Sequence, residues 1–413
     1  MNLDLNQAEP RVMFVDLNSC FARCEQQANR LLRNKPLVVA AYASDYGCVI
    51  SPSIEAKKLG IKVGMRVSDA KEICREVIVR APTPNLYRDV NQRFCKIFKS
   101  YTPFVMPQSI DEAVLRFDGM PQKDLIRVAK EIKFRMRKEI GEWISNSIGI
   151  STNKFLAKTA ATLVKPDGLV WIDHKNVMDI YSRLHLIDLT GINTRYELRL
   201  NLAGIHSPIQ FLNTDMLKLK KQVFKSIVGY YWYLKLRGYE CEDVEFGRKS
   251  FGQSFALPRY TDDLAQLAKI LMKLCEKAGR RLRRNGYYAG GVNVGLGLTD
   301  GYWHKSHKVT QRLYSGSDLY KSAIRILKLK PENHKATHVF VSFFNLNKMD
   351  CLQLDFFDDQ LKNWDISKAS DAVNDRFGEY TITPATMLGM NDQVIDRVPF
   401  GGVKDIMQVY FES

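Results

Sequence analysis

The eight cysteines contain no Cys-x-x-Cys pair and the seven histidines form no convincing cluster, a pattern that speaks against a zinc framework. His304 and His307 are near neighbours, but no cysteine accompanies them. Scattered thiols of this kind fit a reduced, cytoplasmic protein better than a disulfide scaffold. No apolar run approaches the roughly 20 residues that a membrane span needs. The first ten residues carry neither the basic start nor the apolar stretch of a secretory signal. With no amphipathic anchor or lipidation motif either, a membrane partner is not expected. Acidic residues are also in short supply, 45 Asp and Glu against 61 Lys and Arg. The net charge of +16 and pI near 9.3 point to a polyanionic partner.

A chain of 413 residues with 45% hydrophobic composition is long enough for two to four domains with real cores. Its positive charge is regional. Residues 265–330 hold fourteen Lys and Arg against three acidic residues, whereas residues 346–413 hold six basic and twelve acidic ones. The last segment is therefore expected to stay off nucleic acid.

Val12-Met13-Phe14-Val15 reads as a buried strand that ends in Asp16. Phe104-Val105-Met106 and Val114-Leu115-Arg116-Phe117 read as a strand pair joined by a tight turn that carries Asp111 and Glu112. Neighbouring residues on a regular strand point to opposite faces, so adjacent carboxylates share a site only where the pleat is broken. Three carboxylates on two apolar segments are what a pair of Mg²⁺ ions beside a phosphate requires.

Around this centre, strands are expected at residues 37–41 and 48–51, and a short helix from Ile54 to Leu59 that ends at Gly60. Residues 124–140 place Leu125, Ile126, Val128, Ala129, Ile132, Phe134 and Met136 at positions suited to a helix over a sheet. A further helix follows Ser151-Thr152-Asn153, which are natural N-caps. Residues 174–240 turn helical, and Gly191 and Gly204 bracket Tyr196-Glu197-Leu198-Arg199-Leu200 in the manner of a helix–hairpin–helix. Asn193 stands where a second glycine is usual, and an ordinary helical hairpin remains an equal reading. From Ser250 the order is βαββαβ, a small sheet with two helices on one face. Its first helix carries Lys269, Lys273, Lys277, Arg280, Arg281 and Arg284 at helical spacing, read as a solvated face.

Asp16-Leu17-Asn18-Ser19-Cys20-Phe21-Ala22-Arg23-Cys24-Glu25, Ser109-Ile110-Asp111-Glu112-Ala113, Lys154-Phe155-Leu156-Ala157-Lys158 and Lys165-Pro166-Asp167-Gly168 occur in a telling order. With them the chain resembles the Y-family (translesion) DNA polymerases from about Val12 to about Leu346. The likeness is to the bacterial branch that holds DNA polymerase IV and the catalytic subunit of DNA polymerase V. Asn18 and Cys24 lean towards the second type.

The resemblance implies an α+β multidomain right-hand polymerase. Its palm would be residues 1–19 and 81–173, small fingers 20–80 and a helical thumb 174–240. A linker (241–247), a βαββαβ little finger (248–346) that grips DNA, and an acidic tail (347–413) would follow. It implies that Asp16, Asp111, Glu112 and the Leu17 carbonyl hold two Mg²⁺ ions, and that Phe21 is a sugar gate beside Cys20. Ser51, Lys57 and Lys165 match triphosphate contacts, although Ile54 replaces a tyrosine common in the family. Because the family's sheet and flanking loops lie along the duplex, Arg248, Lys249, Lys305, His307 and Lys308 are candidates for phosphate contacts, with the amides near Gly191 and Gly204. Gln353-Leu354-Asp355-Phe356-Phe357 resembles the peptide by which bacterial polymerases dock on the sliding clamp. The implied activity is template-directed addition of dNTPs to primer–template DNA in translesion synthesis and the SOS damage response. The rival readings are another two-metal nucleotidyl transferase or nuclease, and a polymerase-like scaffold without activity.

Overall fold

The structure is a computed structural model that describes residues 3–241, 248–349, 360–378 and 380–390. The described residues up to 241 form one compact unit and those from 248 another. The expected linker lies outside the described residues except for Cys241, and so does the clamp-like peptide 353–357.

The first unit is built on a five-stranded sheet. Its order from edge to edge is Val105–Pro107, Glu112–Arg116, Val12–Leu17, Asn146–Ser151, Leu169–Trp171, and only the last two neighbours are parallel. The apolar run at 12–17 takes the centre and is buried throughout. Alternation then sorts its side chains. Met13 and Val15 join a core with Phe94, Phe98, Leu125 and Ile132, while Val12 and Phe14 pack with Ala157 and Ala161 on the other face. Asp16 continues the second set, and its register partner across the ladder is Glu112.

The helix Lys154–Leu163, capped by the Asn153 side chain on Leu156 N, lies on that face. Its approach depends on Gly149, where a Cβ would sit 1.9 Å from the Ala157 carbonyl oxygen. The helix expected over residues 124–140 is Gln122–Arg135 followed by one π-type turn, Met136–Ile140. Phe134, expected to face the sheet, is instead 63% exposed. It sits nine residues from buried Leu125, half a turn round the helix.

A second sheet places Leu37–Ala40 between Val49–Pro52 and Ile78–Arg80. Ser53 caps the helix Ile54–Lys58, its Oγ accepting from Ala56 N. From Val177 to Leu236 the chain is helical. Gly191 and Gly204 adopt φ of +94° and +76° on either side of the helix Thr194–Leu202. Asn193 fills the second-glycine position because its side chain caps that helix, accepting from Arg195 N and Tyr196 N.

The second unit has the expected βαββαβ order. Its antiparallel sheet runs Gly301–Leu313, Tyr287–Leu298, Ala336–Lys348, Ser250–Thr261, with helices Leu264–Arg284 and Gly316–Leu327. The edge strand begins at Gly301 rather than at Lys308, because its exposed polar residues give no apolar alternation to read.

The basic helix is not the solvated face that its spacing implied. Lys269 and Arg284 are exposed, but Lys273 is 2% exposed and donates to the Met390 carbonyl at 2.7 Å. Arg280 pairs with Asp375, and Arg281 donates to the Gly252 carbonyl. The helix Gln360–Phe377 from the acidic segment covers this side. Its Asp371 receives both Nε and Nη2 of buried Arg283, at 2.7 and 2.8 Å. Part of the opposite charge of the two segments is thus paired within the unit. Among the described residues no helix is long and apolar enough to cross a membrane.

Candidate active site

A cleft of about 670 Å³ opens in the first unit at the end of the central strand. It gathers Asp16, Leu17, Cys20, Phe21, Ser51, Lys57, Asp111, Glu112, Lys165 and Gly191. Lys154, Lys158, Trp232 and Lys235 also line it. Gly204 is not among the lining residues, and Arg248, Lys249, Lys305 and Lys308 belong to the second unit.

The turn before Glu112 brings the two adjacent carboxylates to one site. Gln108 N and Ser109 N both donate to the Glu112 carbonyl, at 2.8 and 3.2 Å, which breaks the pleat. Leu17 N donates to the Asp111 carbonyl at 2.9 Å, tying that turn to the central strand. Ser109 Oγ donates to Asp111 Oδ1 at 2.5 Å. Lys165 Nζ stands 2.7 Å from Asp16 Oδ2, and Lys158 Nζ 2.9 Å from Glu112 Oε2.

Burial pushes the Asp16 carboxyl up to about 6; Lys165 opposes this, while Glu112 and Asp111 add to it. Burial also raises Asp111, against the hydrogen bond from Ser109. Two carboxyls raised by burial and by the neighbouring Glu112 carboxylate form an oxygen donor set suited to a hard divalent cation. Among the described residues no three Asp, Glu, His or Cys side chains close on one point, and two of these carboxylates are held by ammonium groups.

Phe21 forms one wall. Its ring stacks on Tyr87 with centroids 4.3 Å apart and planes 11° off parallel. Tyr87 is 1% exposed, and its hydroxyl donates to Glu25 Oε1 at 2.8 Å. The thiol of neighbouring Cys20 is raised by its hydrogen bond to Cys24 and by burial. Burial lowers Lys57, and Lys165 lowers it further.

Lys165 stands on a loop held from behind. Asn18 Oδ1 accepts from Asp167 N at 2.8 Å, its Nδ2 donates to Ser147 Oγ at 3.0 Å, and Lys133 Nζ pairs with Asp167 Oδ1 at 2.8 Å. Ser109, Tyr87, Lys133 and Lys158 had no role in the sequence reading. Ser109 and Lys158 stood inside quoted motifs; Tyr87 and Lys133 act through contacts between remote segments.

In the second unit, Lys305 lies opposite fully buried Val294 and so on the helix side of the sheet, whereas Lys308 lies opposite Gly291 on the other side. These two candidates do not share a face. The face of Lys308 also holds Tyr302 stacked on Phe340, centroids 5.3 Å apart.

Residues 15–162 match the impB/mucB/samB family and residues 248–356 its C-terminal domain. DNA polymerase IV of Pelotomaculum thermopropionicum is 32% identical over 386 residues, covering 91% of this chain and 95% of that protein. The chain belongs to the Y-family of DNA polymerases. DNA polymerase IV of Moorella thermoacetica is also 32% identical, over 91% of this chain and 96% of its own length. Both relatives are of the polymerase IV type, the side of the bacterial branch that Asn18 and Cys24 did not favour. A Y-family DNA polymerase chimera of Dbh and Dpo4 superposes with a TM-score of 0.71 at 27% identity, covering 81% of this chain and 98% of the chimera. An insertion ternary complex of Dbh DNA polymerase matches over the same shares with a TM-score of 0.54. The Y-family fold is therefore that of this chain, and membership makes it a DNA-directed DNA polymerase.

Proposed function

We propose that the chain extends a primer 3′ end along a DNA template by phosphoryl transfer in the cleft, and that it tolerates damaged templates. Residues 1–19 and 81–173 serve as palm, 20–80 as fingers, 174–240 as thumb and 248–346 as little finger, with 241–247 as linker. The observation that carries this reading is the meeting of Asp16, Asp111 and Glu112 with Phe21, Lys57 and Lys165 in one cleft. Asp16, Asp111, Glu112 and the Leu17 carbonyl are the oxygens to hold two Mg²⁺ ions. Bound there, the ions supply charge for activating the primer hydroxyl and for stabilising the leaving pyrophosphate.

The chain's own residues do the rest. Lys57, Lys165 and Ser51 receive the triphosphate, lysine acting as a point charge on phosphate oxygens. Ile54 offers no hydroxyl there. Phe21, backed by Tyr87, leaves no room under the sugar for a 2′-hydroxyl, and Cys20 packs beside it. The fingers span only about 60 residues, which supports a roomy nascent-pair site.

Arg248, Lys249 and Lys308 contact duplex phosphates, Lys305 does so from the helix side of the exposed edge strand, and the backbone at Gly191 and Gly204 adds contacts from the thumb. Residues Gln353, Leu354, Phe356 and Phe357 dock on a sliding clamp. The enzyme works on primer–template DNA in the cytoplasm. Asp111→Ala abolishes primer extension while primer–template binding survives; unimpaired extension by this variant overturns the metal assignment.

A further inference from the structure

Two cations occupy the carboxylates that the proposed chemistry requires for metal. Lys165 Nζ lies 2.7 Å from Asp16 Oδ2, and Lys158 Nζ lies 2.9 Å from Glu112 Oε2. The pairs are shielded, with Asp16 and Glu112 side chains 11% and 19% exposed. The two acidic residues face each other across the ladder. Without a counter-charge their repulsion in a half-dry cleft is unfavourable, and the lysines supply that counter-charge.

The lysines differ in where they can go. Lys165 is the more exposed, at 37%, and lines the same cleft from the loop held by Asn18 and Lys133. Lys158 rises from the helix Lys154–Leu163, with its ammonium 5.1 Å over the Phe14 ring.

We propose that Lys165 is an exchangeable counter-ion: it neutralises Asp16 in the nucleotide-free enzyme and moves to the triphosphate when the metal–nucleotide complex arrives. This rests on the reading of Asp16 as a metal ligand and Lys165 as a triphosphate contact. Free divalent cation must then compete with an ammonium for Asp16. Cation that arrives with a triphosphate does not, because the nucleotide gives the lysine a second anionic partner. Binding of metal and of nucleotide is therefore coupled through one side chain, and the coupling is reciprocal. Lys158, held over the Phe14 ring, is not among the residues read as triphosphate contacts, so in this scheme it opposes metal at Glu112 without linking metal to nucleotide. The device would keep the empty site from trapping stray divalent ions and would favour the loaded nucleotide.

The test uses the full chain without DNA and Mn²⁺ as the probe, followed by electron paramagnetic resonance, with calorimetry for Mn²⁺–dATP. Lys165→Met should tighten binding of Mn²⁺ alone by about fivefold and weaken binding of Mn²⁺–dATP by at least as much. Lys158→Met should tighten Mn²⁺ alone while leaving the nucleotide's effect on metal affinity intact. Lys165→Arg retains the charge and should restore weak Mn²⁺ binding. An unchanged circular dichroism spectrum and Tm for Lys165→Met show that the gain does not come from carboxylates exposed by misfolding. Unchanged or weaker Mn²⁺ binding by Lys165→Met overturns the exchange. If instead Asp16→Asn leaves Mn²⁺–dATP binding of the otherwise native chain unaltered, the assignment of the metal site itself fails.

Discussion

At the scale of single residues, the cleft is made by side chains that are each unremarkable where they stand in the sequence. Phe21 is an aromatic just after a strand end, a position usually filled by core. Its meaning comes from Tyr87, which stacks behind it and is pinned through its hydroxyl by Glu25. A ring held in this way is fixed in place, as the proposed sugar gate requires. Phe21→Ala should raise ribonucleotide incorporation relative to deoxynucleotide by at least about tenfold, read from single-nucleotide extension assays. Unchanged sugar discrimination would count against the gate.

At the scale of elements, close approach and buried charge decide the outcome. The helix Lys154–Leu163 lies so near the sheet that a methyl at Gly149 would meet the Ala157 carbonyl. Gly149→Ala should therefore cost about 1–3 kcal/mol, seen as a lower Tm, and should displace Lys158 from Glu112. In the second unit, Glu276 sits where the helices Leu264–Arg284 and Gly316–Leu327 meet; a Cβ on Gly316 would lie 1.7 Å from its Oε1. Burial raises the Glu276 carboxyl above its ordinary 4.5, with Arg283 opposing and Asp371 adding to the rise. The folded chain thus keeps a proton that the unfolded chain has already lost. Stability falls as pH rises from the unfolded value through the raised folded one, and the loss is complete above it. Glu276→Gln should raise Tm at about pH 8 and leave it unchanged at about pH 4, where both states are protonated. Equal shifts at both pH values would contradict the assignment.

At the scale of the molecule, excess positive charge is not spread evenly, and the fold decides which part of it is available. The cations on the helix Leu264–Arg284 include Lys273 and Arg283, which are buried against the C-terminal segment. The sheet's edge strand stays exposed over nearly its whole length. Lys308→Ala should weaken primer–template binding about equally on all sequences and reduce the salt slope of the affinity by about one unit, measured by salt titration of binding. Lys273→Ala should act on stability rather than on that slope.

Much of this was legible in the chain itself. The apolar run ending in Asp16, the turn at Asp111-Glu112 and the βαββαβ order follow from local patterns of apolar and turn residues, which depend on neighbours in sequence. The set of side chains lining the cleft was legible only through several motifs agreeing in order. What tertiary structure alone decided were the pairings: Lys158 with Glu112, Tyr87 behind Phe21, Lys133 with Asp167, and Asp371 with Arg283. Each joins segments dozens of residues apart, and hydrogen bonds and ion pairs act only over a few ångströms. No local pattern therefore encodes which partner folding will bring within reach.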